Sequence, residues 1–291
     1  MAKLSDLPLG LYEKALPPGD WPTMLGQAAG LGFDFVEMSV DESDERLRRL
    51  AWDRAERQAF LQALRDSDIR VPSMCLSAHR RYPLGSGVPD TVQSGLDIMR
   101  RAVDLSVDLG IRIVQVAGYD VYYGETSSPE TRERFVENLG RSVEYAASRG
   151  VTLAVEVMDT RFMSSISRVM YVLQRIASPW LTVYPDVGNL SAWNDNAVEE
   201  LEMGVRAGVV SAIHLKDTYP VTPQSPGQFR DVPFGRGCVD FPRMFGALAR
   251  SGYAGQFLLE MWNRTGEEEI KTVRSAVDWI RGIMADTDAD T

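Results

Sequence analysis

Eight times along this chain a short apolar run is followed by an amphipathic stretch, and no other feature limits the possible folds so strongly. The apolar runs read as buried strands at 7–13, 34–39, 70–76, 112–117, 152–157, 182–186, 210–215 and 256–260. Helical patterns fill the intervals at 21–31, 54–67, 91–109, 130–149, 165–177, 197–207, 242–251 and 267–284. Helix stops fall at Leu31-Gly32, Leu109-Gly110, Arg149-Gly150 and Ser251-Gly252, each Gly leading straight into the next strand. Such short connections belong to repeated βα units. Eight units within 291 residues match an α/β protein of the (β/α)8 TIM-barrel type, as one domain over 1–291. A doubly wound open sheet is the structural rival, but no strand leads into a Gly-rich dinucleotide fingerprint.

A hydrophobic fraction of 44% supports a substantial core, and no apolar stretch is long enough to span a bilayer. The start, MAKLSDLPLG, lacks the apolar centre of a secretory signal. Cys75 and Cys238 imply no disulfide framework, so the expected compartment is a reducing cytoplasm. A net charge of −10 argues against a nucleic-acid partner, while a few local cations could still capture a small anion. The charged stretch 41–57 reads as a solvated helix face, and 219–232 as a long loop after the seventh strand.

Four strands in the C-terminal half end in metal-competent side chains: VTLAVE at Glu156, LTVYPD at Asp186, VVSAIH at His214 and QFLLE at Glu260. A buried ionisable group without a partner is very costly. Four successive strands ending this way point to one shared partner. Taken singly, a Glu at a strand end caps a helix or pairs with an Arg, and a lone His belongs more often to core or surface. In a parallel barrel, however, the C-terminal strand ends gather at one face, where active sites assemble. Three carboxylates and an imidazole there suit Mn²⁺, Zn²⁺, Mg²⁺ or Co²⁺.

Such a site can polarise a ketone and stabilise an enediolate. Glu156 and Glu260 would flank what is bound between them. Paired carboxylates on opposite faces of a carbon are what a two-base epimerisation needs: one removes the proton α to the ketone, the other returns a proton to the opposite face.

The stretches GLYEKALP (10–17), GFDFVEMSVDESDERL (32–47), VPSMCLSAHRRYPLGS (71–86), VAGYDVYY (116–123), YPDVGNLSAW (184–193), HLKDT (214–218), VPFGRGCVDF (232–241) and LLEMW (258–262) closely resemble the L-ribulose-5-phosphate 3-epimerases. These belong to the xylose-isomerase-like TIM barrels and include enzymes of bacterial L-ascorbate and related pentose catabolism. The likeness covers all but the ends of the chain; SMCLSAHRR and YPDVGNLSAW are its most specific pieces.

The resemblance implies interconversion of L-ribulose 5-phosphate and L-xylulose 5-phosphate by inversion at C3. It also implies a homodimer, one divalent ion on Glu156, Asp186, His214 and Glu260, and the two glutamates as acid–base pair. One departure stands out: many relatives in the wider group carry His three residues after the metal-binding Asp, where this chain has Asn189. Asn can bond a sugar hydroxyl but does not titrate near neutrality, so its expected role is positioning. For the phosphate, the candidate cations are Lys14, Arg80 with Arg81, and Lys216, each of which could equally be a solvated surface group. His79 could meet substrate or support the residues that do. Glu37 could bond a sugar hydroxyl or pair with an Arg, and Tyr119, Tyr122 and Tyr123 could roof the pocket or simply pack.

Three other functions compete. An AP endonuclease on this fold would need a multi-zinc cluster rich in histidine and a basic face, and the chain has two histidines and an acidic balance. An epimerase or isomerase of unphosphorylated ketoses would share the metal site, and the cations and family stretches speak for the phosphoester. A non-catalytic metabolite-binding barrel has no need of two opposed bases.

Overall fold

The computed structural model describes residues 3–262 and 267–290. Eight parallel strands form its centre: β1 (Leu9–Tyr12), β2 (Phe35–Val40), β3 (Ser73–Leu76), β4 (Ile113–Ala117), β5 (Thr152–Glu156), β6 (Leu181–Tyr184), β7 (Ala212–Leu215) and, after an antiparallel hairpin of β8 (Asp217–Tyr219) and β9 (Gln228–Val232), β10 (Gln256–Leu259). The strands pair in the order β6-β5-β4-β3-β2-β1-β10-β7. The ring closes through parallel bridges Val183–Val210 and Asp186–His214, where the His214 amide donates to the Pro185 carbonyl at 2.8 Å. These strands are buried almost throughout. That is why they read as continuous apolar runs rather than alternating ones: side chains on one face fill the barrel and those on the other meet the helices.

The outer helices are α1 (Trp21–Gly30), α2 (Asp44–Leu47), α3 (Arg54–Ser67), α4 (Pro89–Leu109), α5 (Pro129–Ser148), α6 (Ile166–Ile176), α7 (Val187–Trp193), α8 (Ala197–Arg206), α9 (Phe241–Ser251) and α10 (Glu267–Asp290). Side-chain caps start several of them. Asp53 and Glu56 form a reciprocal capping box at α3, and Asp20, Ser165 and Asp240 accept amide protons at α1, α6 and α9. Gly32, Gly110, Gly150 and Gly252 all take positive φ, between 68° and 83°, which turns the chain out of a helix towards the next strand. Among the described residues no helix is long and apolar enough to cross a membrane.

Four local expectations change. The stretch 41–57 is not one solvated face: α2, a 3-10 turn over Arg48–Ala51 and the start of α3 share it, and Arg46 and Arg49 turn inward onto the buried Glu13. Arg49 grips Glu13 through two bonds of 2.6 and 2.7 Å, because a carboxylate sealed beneath that loop requires its countercharge. The expected loop 219–232 is spanned by the β8–β9 hairpin, which begins at Asp217, and α7 begins directly after Asp186. Strand one ends at Tyr12, and Glu13 opens a 3-10 turn.

Candidate active site

Glu156 ends β5, Asp186 follows β6, His214 lies in β7 and Glu260 follows β10, so all four occupy the same rim of the barrel. One ligand atom from each lies within 4.8 Å of the others, and all four residues are buried. His214 Nδ1 stands 3.1 Å from Glu156 Oε1, 3.8 Å from Asp186 Oδ2 and 3.9 Å from Glu260 Oε2.

Each oxygen is aimed by a second contact. Asp186 caps α7, its Oδ1 accepting the Asn189 amide proton at 2.7 Å, which leaves Oδ2 for the cluster. The Gln115 side-chain amide, from β4, donates to Glu156 Oε2, leaving Oε1 facing His214. Lys216 lies between Asp186 Oδ2 and Glu260 Oε2, its Nζ 2.9 Å from each. Beneath the imidazole, His214 Nε2 meets Glu37 Oε1 at 3.1 Å, and the Tyr184 hydroxyl donates to Glu37 Oε2 at 3.0 Å.

Charge explains why this cluster suits a cation. Burial pushes the Asp186 carboxyl up to about 7, against the pull of Lys216. Burial also raises Glu156, against the His214 bond. Burial alone would raise Glu260 too, but Lys216 and His214 hold it down at about 2. The His214 imidazole goes well above its ordinary value despite burial, because Glu260, Glu156 and Glu37 surround it. Three clustered carboxylates, with Glu37 behind the imidazole, share one ammonium and one imidazole in a buried pocket, and burial works against the charged forms of Glu156 and Asp186. A divalent ion relieves that imbalance, and a donor set of three oxygens and one imidazole nitrogen fits it. The buried cluster can hold a metal ion.

The cavity above the cluster is lined by Tyr12, Lys14, Cys75, Ser77, Arg80, Tyr119, Glu156, Met158, Asp159, Asn189, Lys216, Phe229, Arg230, Glu260 and Trp262. Of the six expected substrate contacts, Lys14, Arg80, Asn189 and Lys216 therefore reach it. Glu37 and His79 are not among the lining residues. Glu37 is sealed beneath His214, and the buried His79 ring sets Nε2 3.1 Å from the Gly95 carbonyl, joining the turn after β3 to α4. Lys14 pairs with Asp41, while Arg80 stacks over Tyr119 and Tyr122, 5.6 Å from each ring centre. Asn189 donates through Nδ2 to the Val157 carbonyl at 2.9 Å, which fixes the amide's orientation; its Oδ1 is buried with no protein donor.

Residues from the hairpin and the chain after β10 complete the cavity, although the sequence reading did not single them out. Arg230 lies over the Trp262 ring, 4.7 Å from its centre, and Phe229 stands beside it on β9. Gln115 was legible in principle, as a polar residue inside the apolar strand IVQVA. Asp159, which accepts the Tyr119 hydroxyl proton at 2.6 Å, carries no such local signal.

Fold and site together define the class: the family model for xylose isomerase-like TIM barrels matches residues 25–283. The UlaE protein of Escherichia coli K12, named L-ribulose-5-phosphate 3-epimerase, is 51% identical over 96% of this chain and 95% of its own. SgbU of Haemophilus influenzae, which bears that name provisionally, is 55% identical over 94% of each chain. The chain belongs to the L-ribulose-5-phosphate 3-epimerase family within the xylose isomerase-like barrels, and it is an isomerase of the epimerase class. Among solved structures, a D-psicose 3-epimerase with D-tagatose from Clostridium cellulolyticum H10 superposes with a TM-score of 0.79, over 96% of this chain and 99% of its own, at 15% identity. At that identity the likeness concerns the fold alone.

Proposed function

We propose that the chain interconverts L-ribulose 5-phosphate and L-xylulose 5-phosphate by inverting C3. The observation that carries this reading is the meeting of Glu156 and Glu260, from two different strands, at one buried four-ligand cluster under a cavity with cationic walls. The names of relatives more than 50% identical along nearly the whole chain support the substrate.

Glu156, Asp186, His214 and Glu260 would hold one divalent ion, which when bound supplies Lewis-acid polarisation of the C2 ketone and charge stabilisation of the enediolate. One of the two glutamates takes the C3 proton, and the other delivers a proton to the opposite face of the same carbon. Their roles exchange in the reverse direction. Gln115 keeps one Glu156 oxygen oriented, and Lys216 does the same for Glu260. The unpartnered Asn189 Oδ1 accepts a sugar hydroxyl, which positions the ketose without proton transfer. Lys14 and Arg80 supply positive charge for the phosphate. With only two cysteines and no disulfide framework implied by the sequence, the compartment assigned is a reducing cytoplasm.

The test is NMR of L-ribulose 5-phosphate in D₂O, before and after chelation. Deuterium should enter C3, L-xylulose 5-phosphate should appear, and chelation should stop both. Faster turnover of unphosphorylated L-ribulose would transfer the assignment to a free-ketose epimerase. No C3 exchange on either sugar would remove the reaction altogether.

A further inference from the structure

Glu37 and Tyr184 stand outside the reaction just described, and both are fully buried. Glu37 offers four acceptor directions on two oxygens, and protein groups engage both: Oε1 meets His214 Nε2 at 3.1 Å, and Oε2 accepts the Tyr184 hydroxyl proton at 3.0 Å. The Tyr184 ring also lies against the imidazole, their centres 4.5 Å apart and their planes inclined at 60°. The three residues come from β2, the end of β6 and β7, and they meet inside the barrel below the rim.

A carboxylate accepts protons and does not donate them. Both imidazole nitrogens face a carboxylate at 3.1 Å, but Nε2 faces Glu37 alone and can keep its hydrogen there. The neighbour of Nδ1, Glu156 Oε1, belongs to the four-residue cluster, so Nδ1 is the nitrogen placed to exchange its proton for a cation. Nδ1 is also the atom that faces Glu156 Oε1, Asp186 Oδ2 and Glu260 Oε2. We infer that Glu37, steadied by Tyr184, is a positioning residue that selects the His214 tautomer, so that Nδ1 is the metal-binding nitrogen. A carboxylate behind a ligating imidazole also raises its basicity and fixes the plane of its ring. Glu37 then acts through His214 and never meets the sugar. This inference rests on the metal-dependent reading of the site.

The chain has two histidines, so a protein labelled with ¹⁵N-histidine yields a spectrum simple enough to assign by His79→Gln. With Zn²⁺ bound, His214 should show a proton on Nε2 and a ligated Nδ1; ligation through Nε2 would overturn the inference. Co²⁺ affinity, measured by competition with a chromophoric chelator, should fall about 10–100-fold in Glu37→Ala. Glu37→Gln can still accept the Nε2 proton through its carbonyl oxygen and should recover most of that loss. Tyr184→Phe keeps the ring packing and should lose less than Glu37→Ala. Wild-type Co²⁺ affinity in Glu37→Ala, or equal losses in the Ala and Gln variants, would sink the proposal while leaving the metal reading intact. Should the wild-type chain bind neither ion, the metal reading fails, and the metal-free spectrum decides: the Nε2 proton must be protected in the wild type and exchange rapidly in Glu37→Ala, and equal protection in both overturns the inference.

Discussion

Asp186 caps the helix that follows it by accepting the Asn189 amide proton at 2.7 Å, and that one bond determines which of its oxygens faces the cluster. Oδ1 is occupied by the cap, so Oδ2 turns towards His214 and Lys216. The Asp186 carboxylate is thus aimed by the start of α7 as well as by the end of β6. Gly188 lies inside this turn. A Cβ there would stand 2.8 Å from the Lys216 carbonyl and from Thr218 Cγ2, and 3.2 Å from Asp186 Oδ1. Gly188→Ala should therefore displace the ligand, costing about 1–3 kcal/mol of stability by overpacking. Urea unfolding and bound-metal content check it together, and wild-type values for both would refute the account.

Replacing either base should remove catalysis while sparing the fold. Glu156→Gln and Glu260→Gln keep size and lose the ability to take a proton, so turnover should fall by roughly 10²–10⁴-fold. Circular dichroism confirms folding, and C3 exchange in D₂O reports the chemistry. Near-normal exchange in either variant removes that residue from the acid–base pair.

Removing metal should act through His214. Chelation should abolish activity, and added Mn²⁺ or Co²⁺ should restore it. His214→Ala should purify folded with little bound metal, by elemental analysis. Unchanged metal content would show that the imidazole is no ligand.

The phosphate contact can be separated from the rest of binding. Arg80 lines the cavity, and a charge-assisted contact of about 1.5–3 kcal/mol corresponds to roughly 10–100-fold in KM. Arg80→Ala should raise KM by that factor for L-ribulose 5-phosphate and leave the constants for unphosphorylated L-ribulose unchanged. Equal effects on both sugars would assign Arg80 to shaping the Tyr119–Tyr122 wall instead.

Acid stability should report the loop beyond β2. Burial would raise the Asp41 carboxyl, but bonds from Lys14 and Ser43 hold it at about 2. An unfolded Asp titrates near ~3.9, so the folded state binds its proton less readily. The resulting stability is complete above that value and is lost as pH falls from about 4 towards 2. Asp41→Asn should cost about 1–2 kcal/mol at neutral pH and flatten the urea midpoint across that window. An acid profile parallel to the wild type's would contradict this.

Much of the scaffold was readable because the relevant forces are local. α3 runs over Arg54–Ser67, as its periodicity predicted, since Asp53 and Glu56 mark its start three residues apart. The Gly stops were legible for the same reason: a positive φ after a helix favours Gly whatever surrounds it. The inward turn of Arg46 and Arg49 was not legible. Nothing within a helical window reveals that Glu13, more than thirty residues earlier, is sealed beneath them. The hairpin over 217–232 was hidden too, because its strands, DTY and QFRDV, are short and mostly polar and leave no apolar run.

The amino-acid order alone decided that eight strand–helix units exist and that four of the strands end in groups able to bind a cation, because both properties arise among neighbours a few positions apart. Barrel closure decided the remainder. It set Glu37 against His214 across 177 residues, directed Lys216 to two carboxylates, and left Asn189 Oδ1 without a protein donor. Those relations depend on strand register and side-chain direction at the rim, which come into being only when the eighth strand meets its neighbours.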